Sequence, residues 1–196
     1  FRRVLFRSFQ VHVGSDKVYT PGDKCDVLVA MNPAALKTQY KFCKPQSVII
    51  IDTDSFTKRD LEKAQFQLEN PFSELGIKNE VVEAAITTMC KESLKDSGLD
   101  NKTIMRTKNM FALGLVCWLF NRNLAAAEKM LREKFAKKPE IAEANIKVLN
   151  DGFNYGANTH ASVSTYKIES KAPKSKGLYT DINGNKATAY GLIAAA

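Results

Sequence analysis

Two nearly continuous apolar runs, residues 25–31 (CDVLVAM) and 47–51 (SVIII), stand on either side of Asn32-Pro33 and a short helical stretch, an arrangement that leaves few folds open. A strand with one wet face alternates apolar and polar residues, whereas a run that is apolar throughout needs cover on both faces, as in a parallel sheet. Pro33 falls at the favoured first turn of a helix that continues through Ala34, Ala35, Leu36 and Tyr40. Strand, helix and strand within about 30 residues make a βαβ unit, whose crossover is right-handed. The second run ends on Asp52-Thr53-Asp54.

Other segments fit around this unit. Residues 10–13 and 17–20 read as short β-like runs separated by Gly14-Ser15, and Pro21-Gly22-Asp23 as a turn. Residues 58–67 predict a short surface helix, Asn70-Pro71-Phe72 and Gly76 a loop, and residues 80–85 a further strand. A helix over 87–95 is stopped by Gly98. Residues 103–120 predict the most hydrophobic helix, apolar on more than one face and so interior. Leu124, Ala127, Leu131 and Phe135 repeat at helical steps, with Glu128, Lys129, Arg132 and Glu133 on the wet side. Pro139 starts another helix, striped by Ile141, Val148 and Leu149 and expected to end at Gly152 and Gly156, giving a helical hairpin on the sheet. Residues 163–168 read as a last strand, 169–177 (ESKAPKSKG) as a linker, and an Ala-rich helix begins near Asn185.

Charge enters at this point, because 29 Lys plus Arg against 21 Asp plus Glu, a formal +8, invites a nucleic-acid reading. Three of those charges, Arg2, Arg3 and Arg7, lie in the opening octapeptide FRRVLFRS, for which one codon choice resembles the end of a sequencing-adapter oligonucleotide. The octapeptide is therefore expected to be extraneous and is set aside in reading the fold. Without its arginines the balance is 26 basic to 21 acidic residues, or +5, and Lys171, Lys174 and Lys176 of the linker supply much of that. Phosphate recognition wants basic and aromatic residues clustered on one element, so no nucleic-acid partner is expected.

The longest apolar run, residues 110–120 (MFALGLVCWLF), is too short to span a membrane, which takes about 20 residues. Cys25, Cys43, Cys90 and Cys117 have no CxxC or CxH spacing and read as small buried hydrophobes in a reducing, cytoplasmic compartment. His12 and His160 have no ligand-spaced partner, so no metal site is expected.

Residues 9–32 (FQVHVGSDKVYTPGDKCDVLVAMN), 108–114 (KNMFALG) and 137–145 (KKPEIAEAN) together resemble the gamma domain of 2-oxoacid:ferredoxin oxidoreductases. Residues 184–196 (GNKATAYGLIAAA) resemble the start of the alpha subunit's pyrimidine-type thiamine diphosphate domain. In the 2-oxoglutarate synthase branch the gamma domain is fused ahead of alpha through such a linker. The resemblance implies an α/β, three-layer Rossmann-like domain with a mostly parallel sheet and a C-terminal helical hairpin. It divides the chain into residues 9–168, an N-terminally truncated gamma domain; 169–180, a linker; and 181–196, the first helix of a thiamine-diphosphate-binding-type α/β domain. Two departures stand out: the family's opening Gly-rich strand-loop-helix is missing, and the Tyr-Pro-Ile-Thr-Pro segment beyond the Ala-rich helix is not reached. Lys186 also stands where Glu or Gln is expected.

The implied complex oxidatively decarboxylates a 2-oxo acid, 2-oxoglutarate being favoured, with coenzyme A to an acyl-CoA and carbon dioxide, passing electrons to ferredoxin, or runs the reverse. Thiamine diphosphate and iron-sulfur clusters belong to that full complex, coenzyme A is its substrate, and a beta subunit is the implied partner in a hetero-oligomer. No catalytic residue is expected within this fragment, and the fragment alone is expected to be inactive. Ligands of open parallel sheets gather at the carboxyl ends of strands, which marks Asn32 and Asp52 as candidate contacts, with Thr53 and Asp54 beside them. The competing reading of Asp52 or Asp54 is a cap on a following turn or helix. A stand-alone Rossmann-like nucleotide- or CoA-binding module is the alternative for the chain as a whole.

Overall fold

A computed structural model describes residues 8–15, 18, 20, 22–162, 165–168 and 184–195. The two apolar runs form neighbouring parallel strands, β1 (Cys25–Ala30) and β2 (Cys43–Asp52), joined through helix α1 (Pro33–Gln39) and a single 3-10 turn, Tyr40–Phe42. Helices α2 (Lys58–Lys63) and α3 (Pro71–Leu75) then lead to β3 (Glu80–Ala84), parallel to β2. The sheet order is β1-β2-β3, so the described strands lie side by side in chain order.

The unbroken apolar run at 48–51 of β2 is explained by its two covered faces. Ile49 and Ile51 join Ala30 and Leu36 in a layer with Phe72, Leu75 and Ile77, whereas Val48 and Ile50 pack with Val82, Leu115 and Leu119 on the other side. That second layer is built from α4 (Ile86–Ser93), α5 (Asn101–Arg106), α6 (Lys108–Leu119) and α8 (Pro139–Thr159). Helix α7 (Ala125–Lys134) covers α6 and α8 through Leu131, Ile146 and Leu149. The three-layer α/β architecture that the resemblance implies is the one observed, with the parallel sheet covered on both faces as the apolar runs predict.

Several segments differ from expectation for identifiable reasons. Asn70-Pro71-Phe72 and Gly76 bound a helix and not a loop: Asn70 Oδ1 accepts from the Phe72 and Ser73 amides at 2.9 and 3.1 Å, Pro71 opens the first turn, and Gly76 (φ 62°) ends it. The single helix expected over 103–120 is two, because the chain turns at buried Thr107, whose hydroxyl donates to the Ile104 carbonyl at 2.7 Å. Residues 10–13 and 165–168 are not strands. Gln10 and His12 bond to the Gly22 and Thr20 carbonyls through side chains, and the Tyr166 amide reaches the end of α6 at the Leu119 carbonyl. Parts of the runs at 17–20 and 163–168 and the linker at 169–180 fall outside the described residues, whereas the Ala-rich helix is present as α9 (Gly184–Ala195).

Gly152 and Gly156 do not end α8, which runs on to Thr159 and stops at His160 in a left-handed conformation. Their role is packing. A Cβ on Gly152 would stand 2.1 Å from the Phe111 carbonyl oxygen of α6, one on Gly114 would stand 2.0 Å from the Leu149 carbonyl oxygen of α8, and one on Gly156 would stand 2.5 Å from the Trp118 ring. The two buried helices touch backbone to backbone, and only hydrogen fits between them.

Candidate functional site at the carboxyl ends of the strands

The sheet register puts Ala30 opposite Ile51 and Asp52 opposite Ala84, so the three strands end together and the segments leaving them share one edge. Asn32, just past β1, is extended and caps α1, its Oδ1 accepting from the Ala35 amide at 2.9 Å. Asp52, the last residue of β2, is completely buried. Its Oδ2 lies 2.6 Å from Lys108 Nζ and accepts the Ser55 and Thr87 hydroxyls at 2.8 and 2.9 Å, while Oδ1 accepts the Thr87 amide at 3.3 Å. Asp54 accepts both the amide and the hydroxyl of Thr88, at 2.7 and 3.1 Å.

These contacts resolve a local shortfall. Helix α4 begins after Ala85, which has no side-chain acceptor for the free amides of the first turn. Asp52 and Asp54 supply that cap from a different element, so the capping role anticipated for them is real, but the helix capped is α4, more than thirty residues downstream. Lys108 opens α6, where a positive charge opposes the helix dipole, and the Asp52 carboxylate offsets it. Burial alone would raise the Asp52 pKa, but hydrogen bonds from Lys108, Ser55 and Thr87 and the Lys108 charge outweigh it and hold the carboxyl below its ordinary value of 3.8. Asp52 is thus a fixed anion joining β2, α4 and α6.

Beside this knot, an open groove of about 510 Å³ runs from Thr88 between α4 and α8. Tyr155 lines it, donating to the Glu83 carbonyl at 3.1 Å with its ring 5.8 Å from that of Phe111. Further along, Lys147 Nζ lies 3.2 Å from Asp151 and donates to the Ser93 hydroxyl at 2.9 Å, and that hydroxyl donates to Asp151. An ammonium paired to a carboxylate cannot deprotonate Ser93, so this trio is equipped to bind polar groups and not to generate a nucleophile. Among the described residues no three His, Cys, Asp or Glu side chains converge, so none of them offers a metal or cluster ligand set. No helix among them is long and apolar enough to cross a membrane.

Of the two residues marked from the sequence, both lie on this edge, and both have internal hydrogen-bond partners. Thr87, Thr88 and Lys108 carried no local signal for their roles, since each is an ordinary polar residue whose partner is distant in sequence, whereas Ser55 lies only three residues from Asp52. Lys108 was visible only as the first residue of the 108–114 stretch that carries the family resemblance.

A parallel α/β sheet with its polar knot at the strand ends and two glycine-packed helices on one face defines a class that sequence comparison makes specific. The sequence model of the pyruvate ferredoxin/flavodoxin oxidoreductase family matches residues 4–155, and the chain belongs to that family. It is 43% identical over 189 residues, 96% of its length, to the 2-oxoglutarate oxidoreductase subunit KorA of Mycobacterium tuberculosis (strain ATCC 25618 / H37Rv). It spans only 29% of that relative. Its fold is similar to part of the 2-oxoglutarate:ferredoxin oxidoreductase from Magnetococcus marinus, solved with 2-oxoglutarate, coenzyme A and succinyl-CoA bound, with a TM-score of 0.53 and 23% identity. That match covers 81% of this chain and 24% of the solved one.

Proposed function

We propose that this chain is the gamma-domain portion of a 2-oxoacid:ferredoxin oxidoreductase subunit, with 2-oxoglutarate as the 2-oxo acid. The observation that carries the reading is the 43% identity, sustained over 96% of the chain, to a subunit named for 2-oxoglutarate oxidoreduction. The complete complex oxidises 2-oxoglutarate with coenzyme A to succinyl-CoA and carbon dioxide and reduces ferredoxin, or runs the reverse. Residues 9–168 form the gamma domain, 169–180 the tether, and 181–196 the start of the alpha domain. A beta subunit completes the hetero-oligomer in the cytoplasm. Thiamine diphosphate, when bound elsewhere in the complex, supplies a carbanion-stabilising ylid, and iron-sulfur clusters carry the electrons singly.

Within this reading the gamma domain contributes binding and not bond-breaking. Coenzyme A contact is assigned to the carboxyl edge of the sheet, where Asn32 and Asp52 lie and where the groove beside Thr88 opens. Asp52 acts as a positioning residue, fixing the amino-terminal ends of α4 and α6.

The test is to express the complete gene with its partner subunit and follow ferredoxin reduction. Coenzyme-A-dependent reduction with 2-oxoglutarate, well above that with pyruvate, is expected. Pyruvate preference would overturn the substrate, and absence of reduction with any 2-oxo acid would overturn the reaction. An unchanged KM for coenzyme A in both Asn32→Ala and Asp52→Asn enzymes would remove the strand-end contact while leaving the reaction intact.

A further inference from the structure

At the opposite end of the sheet the structure brings together two cysteines that are 18 positions apart. Cys25 opens β1 and Cys43 opens β2, the two are register partners, and their sulfur atoms are 3.8 Å apart. Both are free, and both are only half-buried. Neighbouring strands lie about 4.8 Å apart, within the Cα separation of about 4.4–6.8 Å that a disulfide requires. Bond formation then needs the sulfurs to close the remaining gap.

The ladder is irregular at this point. After the Cys25–Cys43 pairing the next partners are Val27 and Val48, so β2 advances five residues while β1 advances two, and residues 44–47 bulge from the ladder. Asn79 holds the bulge, its side-chain amide donating to the carbonyls of Lys44, Pro45 and Ser47 at 2.8, 3.2 and 3.0 Å. The thiol pair thus sits where regular pairing is interrupted, so a small shift there leaves the ladder from Val27 to Ala30 undisturbed.

We propose that Cys25 and Cys43 are a reversible thiol–disulfide site, oxidised by low-molecular-weight disulfides. One cysteine thiolate attacks a sulfur of the small disulfide, breaking its S–S bond and releasing one small thiolate, which takes up a proton. The second cysteine thiolate attacks the resulting mixed disulfide, forms the Cys25–Cys43 bond and releases the second small thiol. Two protein thiols are oxidised, one small disulfide is reduced to two thiols, and the two electrons balance. Burial pushes the Cys43 thiol up to about 11, which makes its attack the slow one at neutral pH. The bond closes a loop containing all of β1, Asn32 and α1, so oxidation stiffens the βαβ unit.

The test uses the full natural chain, purified reduced and then equilibrated with oxidised glutathione at neutral to mildly alkaline pH. Free thiols are alkylated and the digest is read by mass spectrometry. The expected product is a Cys25–Cys43 cross-linked peptide that forms before Cys90 or Cys117 reacts and disappears on reduction. The oxidised protein should melt several degrees higher than the reduced one. Cys25→Ala and Cys43→Ala variants, each checked for folding by circular dichroism, should lose that shift. Glutathione adducts on Cys25 or Cys43 without the intramolecular bond, bonds through Cys90 or Cys117, or four thiols unchanged would each overturn the proposal.

Discussion

Asp52 concentrates the energetics of the site in one side chain. Replacing it by Asn leaves the Lys108 ammonium, 16% exposed, without its counter-charge. Breaking one side of a buried pair costs about 3–5 kcal/mol, so Asp52→Asn should lower the urea midpoint strongly, and Lys108→Met should do the same by stranding the carboxylate. The double variant should recover much of the loss, because no uncompensated charge remains. A double variant no more stable than the singles would show that packing, and not charge, dominates the knot. The acid limb of the stability profile is set by the sign of the pKa shift. The folded Asp52 pKa is depressed, so its contribution is complete above the ordinary value of 3.8 and is lost as pH falls through the folded value. Acid unfolding of Asp52→Asn, monitored by circular dichroism, should lack that part of the slope. The chemistry of this residue was legible as an acid ending a strand; its partners Thr87 and Lys108 were not, since contacts spanning 35 and 56 residues leave no local pattern.

At the scale of elements, α6 and α8 depend on close approach. Ala is a better helix former than Gly by about 1 kcal/mol, yet Gly152→Ala should destabilise, since its Cβ would meet the Phe111 carbonyl oxygen at 2.1 Å. The atoms it meets are all backbone atoms of Phe111, so the helices must separate, at a cost of about 1–3 kcal/mol for overpacking. Thermal melting of Gly152→Ala beside Gly191→Ala, where no neighbour lies within 4 Å, separates the clash from the propensity gain. Reading Gly152 and Gly156 as helix stops was reasonable from sequence, because glycine serves both helix ends and helix contacts. Only the position of the second helix distinguishes them. Helix α3 illustrates the converse: Asn70-Pro71 and Gly76 are a start and a stop signal five residues apart, short enough to be read as a loop.

At the scale of the whole molecule, many of the positive charges among the described residues are paired. Lys44, Lys58, Lys63, Lys95, Lys129 and Lys147 each pair with a carboxylate. Exposed pairs of this kind contribute about 0–1 kcal/mol to stability, but they leave fewer cations to form a phosphate-binding face. The chain should therefore not be retained on DNA or RNA at low salt, and retention that weakens steeply as salt is raised would contradict this.

The sequence alone determined the parallel α/β sheet, because a strand apolar at every position has no stable place except between two covering layers. It also carried the family, through ordered stretches of residues whose spacing survives without coordinates. Tertiary structure alone decided that Asp52 and Asp54 cap a helix far along the chain, that the α8 glycines serve contact and not termination, and that two half-exposed cysteines lie side by side. Those outcomes depend on which elements become neighbours. Neighbourhood is set by the packing of the whole chain, whereas propensity and periodicity report only on a residue and its near surroundings.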